Sequence, residues 1–471
     1  MKKYLLDALI EYQNTNTYPF HMPGHKRQGQ FVNPFTIDIT EIDGFDNLYH
    51  EEGILKEAQE RAAALYRSSE THFLVNGSTG GILSAISSCT RTGGKLLMAR
   101  NCHKAVYHAA LLGELEVVYL YPEKESNYNI NGEISAAEVE RILAEEQDIL
   151  AVFLTSPTYD GVVSDIKAIA KIAHQYQIPL IVDEAHGAHL SFHSYFPENA
   201  IGGGADIVIN SLHKTMPAFT QTALLHVNGE LVDRERLSMY LSIYQTSSPS
   251  YLLMAGIDEC IRKITREKET LFADFVKRLD RFYQEAEQWN KIKLVADLPC
   301  FDRSKLILSV KDTTINGLIL KNKLREKYAI ELEMAAGSYA LALTSVMDTD
   351  EGFERLLQGV TEIDKSLQDI GLDTTKSEFG IVSQMEKNKC ACRISEAVSG
   401  HGESRLLKQS IGEISTEFLY LYPPGIPLLV PGEVISESLV AQIETYREQG
   451  FSLQGLADYQ INEVKCLSKV R

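Results

Sequence analysis

Two apolar patterns alternate along residues 54–230. In ILKEAQERAAALY (54–66), Ile54, Leu55, Ala58, Ala62 and Leu65 recur at helical spacing and share one face. The same period predicts helices over ILSAISSCT (82–90), AVYHAALLG (105–113), SAAEVERILAEEQ (135–147) and DIKAIAKIAHQYQ (165–177). Ser135 and Glu138 have the spacing of a capping box at the start of the third of these. Between the helices lie short runs that are apolar throughout: THFLVN (71–76), KLLMARN (95–101), EVVYLYP (116–122), DILAVFLT (148–155), IPLIVDEAHG (178–187), DIVINSLH (206–213) and TALLHV (222–227). Strands without alternation are buried on both faces. Helices of this length between them mean a mostly parallel sheet covered on both sides.

The texture changes after about residue 255. Residues 258–290 read as one or two long helices. KLILSV (305–310), a helix over 315–327 and SYALALTS (338–345) predict a smaller α+β unit. Residues 365–390 are polar and read as a linker, and YPPGIPLLVPGE (422–433) reads as a rigid turn. The expected organisation is an N-terminal arm (1–53), a large α/β domain (54–290), a small α+β domain (291–365) and a C-terminal domain (366–471).

Composition narrows the function. The net charge is −18 without a basic block, which argues against nucleic acid or anionic membrane as a partner. MKKYLLDALIEYQNT is interrupted by Asp7 and Glu11, so it reads as an amphipathic helix rather than a signal peptide, and no apolar run spans a bilayer. Seven scattered cysteines suit a reducing cytosol better than a disulfide framework. Cys390 and Cys392 lack two further ligands nearby, and Asp183, Glu184, His186 and His189 match no standard metal spacing, so no metal site is expected.

In open α/β sheets ligands bind beyond the carboxyl ends of the strands. That edge receives GSTGG (77–81), NCHK (101–104), TSPTYDG (155–161), DEAHGAH (183–189) and SLHK (211–214). GSTGG sits between a strand and a helix and could present the helix's N–H groups to an anion, or be a plain turn. Asp183 ends an apolar strand and needs a partner, either a helix N-terminus or a cationic ring nitrogen. Lys214 sits among Ser211, His213 and Thr215. A lysine so placed is either solvated or a Schiff-base former, most often with pyridoxal phosphate. That cofactor needs phosphate donors, which Gly77, Ser78, Thr79, Ser211 and His213 could supply. It also needs a carboxylate, available in Asp183, and a flat partner, available in His103.

The chain resembles the ornithine/lysine/arginine decarboxylases of the pyridoxal-phosphate, aspartate-aminotransferase fold, in their short bacterial form. The resemblance is carried by HMPGHKRQG (21–29), DITEIDGFDNLYHEEGILKEAQ (38–59), FLVNGSTGG (73–81), RNCHKA (100–105), TSPTYDGVVSDI (155–166), DEAHGAH (183–189), SLHKTMPAFTQTA (211–223) and YPPGIPLLVPGE (422–433). It implies that Lys214 carries the cofactor and that Asp183 pairs with its ring nitrogen. His103 would stack on the ring, His186 line the pocket, and Gly77, Ser78, Thr79, Ser211 and His213 hold the phosphate. Glu433 would meet the distal cation of a basic amino acid, and His213 or Lys214 would return a proton to Cα. It further implies a cytoplasmic homodimer without the N-terminal assembly domain of larger members, in which residues 21–50 complete a neighbour's pocket. Ile209 and Pro217 depart from the family's small residues. An aminotransferase or lyase on the same fold, with Arg393 holding the α-carboxylate, and a non-catalytic carrier are the rival readings.

Overall fold

In a computed structural model, residues 4–29, 31–125, 127–367, 387–422 and 425–468 are described. The N-terminal amphipathic pattern forms α1 (Leu5–Gln13), none of whose residues is buried. A short strand, β1 (Tyr18–Phe20), then leaves the large domain altogether. It pairs in parallel with a strand of the small domain, Tyr18 opposite Ile330.

The alternating segment builds the predicted sheet. Its strands are β2 (Glu70–Leu74), β3 (Lys95–Ala99), β4 (Glu116–Leu120), β5 (Ile149–Thr155), β6 (Leu180–Asp183), β7 (Ile207–Asn210) and β8 (Ala223–Val227), in the order β2-β8-β7-β6-β5-β3-β4. Only the pairings of β8 are antiparallel. Every residue of β6, β7 and β8 is buried, which is why their sequences show no alternation. The connecting helices are α2 (Ile54–Tyr66), α3 (Gly77–Cys89), α4 (Lys104–Leu112), α5 (Ala136–Glu145) and α6 (Ile166–Gln175); a four-residue α7 (Leu212–Thr215) follows β7, and α8 (Arg234–Tyr244) follows β8.

Local expectations differ from the structure in two places. GSTGG does not precede its helix but forms the first turn of α3, with Gly77 at φ +65°. Ser135 is the residue before α5, but its side chain caps nothing, and Glu138 bonds Arg141 rather than reaching back to the Ser135 N–H. Of the two readings of 258–290, one helix is found: α9 (Tyr251–Ala286), of 36 residues, which takes in 258–286.

The small unit is an antiparallel sheet of β9 (Lys293–Leu294), β10 (Lys305–Ser309), β11 (Met334–Ala335) and β12 (Tyr339–Leu343), ordered β9-β10-β12-β11, with α10 (Gly317–Tyr328) and α11 (Asp350–Ser366). Most of the expected linker lies outside the described residues. The C-terminal region has a core of its own, including Leu419, Leu429, Leu439 and Ile443. There the proline-rich stretch is not only a turn. Ile426–Leu429 is a strand, β14, antiparallel to β13 (Leu419–Leu421), and Pro423 and Pro424 lie outside the described residues. Among the described residues no helix is long and apolar enough to cross a membrane.

Candidate active site

A cavity of about 400 Å³ opens at the carboxyl ends of the strands, a volume within the range of small-molecule sites. Gly77, Ser78, Thr79, His103, Asp183, His186, Ser211, His213 and Lys214 all line it. The sheet register explains the convergence. Thr155 at the end of β5 pairs with Asp183 at the end of β6, and Asp183 pairs with Ile209 in β7, two residues before Ser211.

At one end, the first turn of α3 meets the loop after β7, and the hydroxyls of Ser78 and Ser211 lie 2.6 Å apart. The free N–H groups of this turn and the two hydroxyls form a donor set for an anion. His103 stands across the cavity. Its Nδ1 accepts the Ala105 N–H at 3.2 Å, so the ring caps α4. Burial, with the charge of Lys214 nearby, lowers its pKa to about 3 and keeps it a neutral, fixed plate.

Asp183 caps no helix. Its Oδ1 accepts the Ala185 N–H at 3.0 Å, and burial raises its pKa while the Lys214 charge opposes that rise. Lys214 is held by the short helix α7, and its Nζ lies 3.0 Å from Nε2 of His186. Burial lowers the Lys214 pKa, and burial with neighbouring cations drives His186 well below the ordinary histidine value. His213 points Nδ1 at the Thr222 carbonyl, 2.9 Å away. A carbonyl only accepts, so the proton sits on Nδ1 and the neutral ring carries a bare Nε2. Burial lowers this pKa to about 4.

Glu433 is not at the cavity. Its carboxylate is buried against Arg100, 3.2 Å away, and accepts from Asn388 and the Val430 N–H. The glutamate that does line the cavity is Glu333, which accepts from the Tyr159 hydroxyl and, at 2.9 Å, from the Met22 N–H. Tyr159 stands in the TSPTYDG motif, where its hydroxyl was a signal available in the sequence. Glu333 lies in an alternating IELEM stretch that looks like any half-exposed strand. The other acidic and histidine neighbours do not converge. Glu184 accepts from Asn210 and the Ala200 N–H, and His189 faces Asp302 at 3.2 Å. Arg393 lies beside Glu116, 3.9 Å away, and is not among the residues lining the cavity.

The departures at Ile209 and Pro217 are packing features. Ile209 faces Gly81, where a Cβ would lie 3.3 Å from its Cγ2. Pro217 lines a separate surface hollow with Phe31 and Phe219.

A family profile described as "Orn/Lys/Arg decarboxylase, major domain" matches residues 4–305, and the corresponding C-terminal domain matches residues 380–457. The chain is 31% identical to an arginine decarboxylase of Bacillus anthracis over 99% of this chain and 97% of the relative. It is 30% identical to an arginine decarboxylase of Bacillus subtilis over 99% of this chain and 98% of the relative. The fold matches the crystal structure of a Francisella novicida lysine decarboxylase with a TM-score of 0.77, at 17% identity, covering 90% of this chain and 73% of that one.

Proposed function

Since the chain belongs to the Orn/Lys/Arg decarboxylase family, we propose that it removes the α-carboxylate of a basic amino acid, arginine foremost, with pyridoxal phosphate as cofactor. The observation that carries the reading is the meeting of a half-buried lysine, a buried carboxylate and an anion-binding helix turn in one cavity. The preference for arginine rests on the two full-length relatives.

The residues fit the cofactor. Buried polar atoms facing the site, Nδ1 of His186, Oγ1 of Thr155 and Oδ1 of Asn101, have no partner within the described protein and need one. Ser78, Thr79, Ser211 and the N–H groups that start at Gly77 would take the phosphate. His213 would join them only by gaining a proton, which a phosphate dianion favours. Asp183 would pair with the ring nitrogen, His103 would lie against the ring, and Lys214 would bond the aldehyde carbon. When bound, the cofactor supplies that carbon and a cationic ring that accepts the electron pair left by carbon dioxide.

The remaining work falls to the chain itself. Lys214, held with a lowered pKa beside neutral His186, offers an unprotonated amine at lower pH than an exposed lysine does. It is also the better carrier of the proton returned to Cα. His213 holds its only neutral-state proton on the Thr222 carbonyl. Glu333 with Tyr159 would receive the distal cation in place of Glu433, since Glu333 is the glutamate that lines the cavity.

We place the protein in the cytosol as a homodimer. All seven cysteines are free thiols. The N-terminal arm leaves Leu5, Leu9, Val32 and Phe35 exposed, apolar side chains that a second copy could cover. Mass spectrometry of products from equal arginine, lysine and ornithine tests the reading. Agmatine, cadaverine or putrescine is expected with the loaded protein and absent with Lys214→Ala. A loaded wild-type protein that forms no amine would overturn it.

A further inference from the structure

Arg100 is a fully buried arginine that touches nothing in the cavity, yet it joins three parts of the molecule. It follows β3, three residues before His103. Its Nη1 donates to the Pro427 carbonyl at 2.7 Å and to the Tyr107 hydroxyl at 3.0 Å. Its Nη2 donates to the Leu428 carbonyl at 3.4 Å and meets the Glu433 carboxylate at 3.2 Å. The guanidinium is flanked by the rings of Tyr107 and Tyr119. Two of its contacts are thus the carbonyls of β14, and a third is the acid four residues after that strand.

What β14 carries explains why this matters. Ile426, its first residue, and Tyr422, just before it, both line the cavity. Gly425 adopts φ +89°, and a Cβ there would stand 3.7 Å from the His103 ring. The same region grips the helix behind His103. Tyr420 meets His108 at 3.4 Å, and Phe418 packs edge-on to Tyr107 and His108. The C-terminal region therefore supplies one wall of the cavity and braces the segment that presents His103.

We propose that Arg100 is a positioning residue for the active site: with Glu433 it pins β14 to the end of β3, and so fixes Tyr422, Ile426 and Gly425 around His103. A guanidinium suits the task because its planar fork serves two carbonyls and a carboxylate at once, which a lysine cannot. Leaving either charge of a buried pair without its partner is costly, whereas removing both is far less so. The kinetic part of the inference rests on the decarboxylase reading; the structural part does not.

The test compares wild type with Arg100→Met, Glu433→Gln and Arg100→Met/Glu433→Met. Hydrogen exchange is followed in residues 415–435 and in the β5 strand as an internal reference, together with affinity for pyridoxal phosphate and the kinetics of amine formation. Arg100→Met is expected to speed exchange in 415–435 with β5 unchanged, to weaken cofactor binding, and to raise KM by about tenfold or more with a smaller change in kcat. The double variant is expected to recover part of each loss. Unchanged exchange in 415–435 with unchanged cofactor affinity would overturn the proposal. So would equal loosening of β5 in both Arg100→Met and Glu433→Gln, which would make the pair a general element of the core. A wild-type protein that turns over no basic amino acid sinks the decarboxylase reading, while exchange and cofactor affinity still decide the role of Arg100.

Discussion

The side-chain nitrogens of Lys214 and His186 lie 3.0 Å apart, and both are pushed toward neutrality by the same burial. Asp183 is the main group acting the other way on Lys214, since its carboxylate favours the charged amine. The sign of a substitution follows. Asp183→Asn removes that support, so the Lys214 pKa falls further and a larger fraction of the amine is unprotonated at neutral pH. Reductive methylation of the cofactor-free protein, followed residue by residue across pH, should show Lys214 reacting at lower pH than surface lysines. The Asp183→Asn midpoint should lie lower still. A midpoint that rises in Asp183→Asn contradicts this electrostatic assignment.

Glu333, not Glu433, is the glutamate that lines the cavity, and kinetics separates the two. A charge-assisted hydrogen bond to a substrate cation contributes about 1.5–3 kcal/mol, so Glu333→Gln should raise KM for the basic amino acid by roughly 10–100-fold. The loss in kcat should be smaller, because the distal cation is remote from the bond that breaks. Glu333→Asp keeps the charge but withdraws it, and should fall between. Steady-state kinetics with matched amounts of bound cofactor measures this. Equal KM values for Glu333→Gln and wild type would remove Glu333 from the substrate site.

Most of the cavity is legible in the sequence because its residues sit at strand ends, where the period of the apolar runs announces the sheet edge. Lys214, Asp183 and Ser211 fall on that edge by position alone. What is not legible leaves no mark in the pattern of residues. His103 reads as a ring partner, but not as the cap of α4, since a histidine accepting the Ala105 N–H leaves no pattern. Glu433 is an acid after a rigid turn, and nothing local shows that Arg100, 333 residues earlier, has claimed it. Nor does a three-residue strand in the arm announce its partner. That strand joins the small domain, and this brings Met22 and Glu333 together.

The loop 21–26 braces α7 from outside, and Gly24 is the point of closest approach. Its N–H donates to the His213 carbonyl at 2.7 Å, and a Cβ would stand 2.8 Å from the Met216 carbonyl oxygen and 2.9 Å from the Met216 nitrogen. Backbone atoms cannot give way as a side chain can, so Gly24→Ala must push the loop off the helix that carries Lys214. Overpacking of this kind costs about 1–3 kcal/mol. The variant should melt several degrees lower and bind pyridoxal phosphate more weakly. Gly412→Ala makes a control, because a Cβ there meets nothing within 4 Å, although its φ of +85° carries some strain. Cofactor affinity should fall in Gly24→Ala and stay unchanged in Gly412→Ala. Equal affinity in both would detach the loop from the site.

Asp160 offers a stability test that needs no substrate. It is buried, accepts the hydroxyl proton of Tyr339, and burial raises its pKa to about 6 from 3.8. A carboxyl raised on folding binds more protons in the folded than in the unfolded chain between these two values. Its favourable contribution is therefore complete below about pH 4 and is lost as pH rises through about 6. Asn at this position keeps an acceptor for Tyr339 and cannot ionise. The stability of Asp160→Asn relative to wild type should grow from pH 4 to pH 6 and then level off, by up to ~3 kcal/mol when the carboxyl moves from 3.8 to about 6. Denaturant unfolding at half-unit pH steps gives the curve. A difference that is flat from pH 4 to pH 7 would mean that Asp160 ionises as easily in the folded protein as in the unfolded chain.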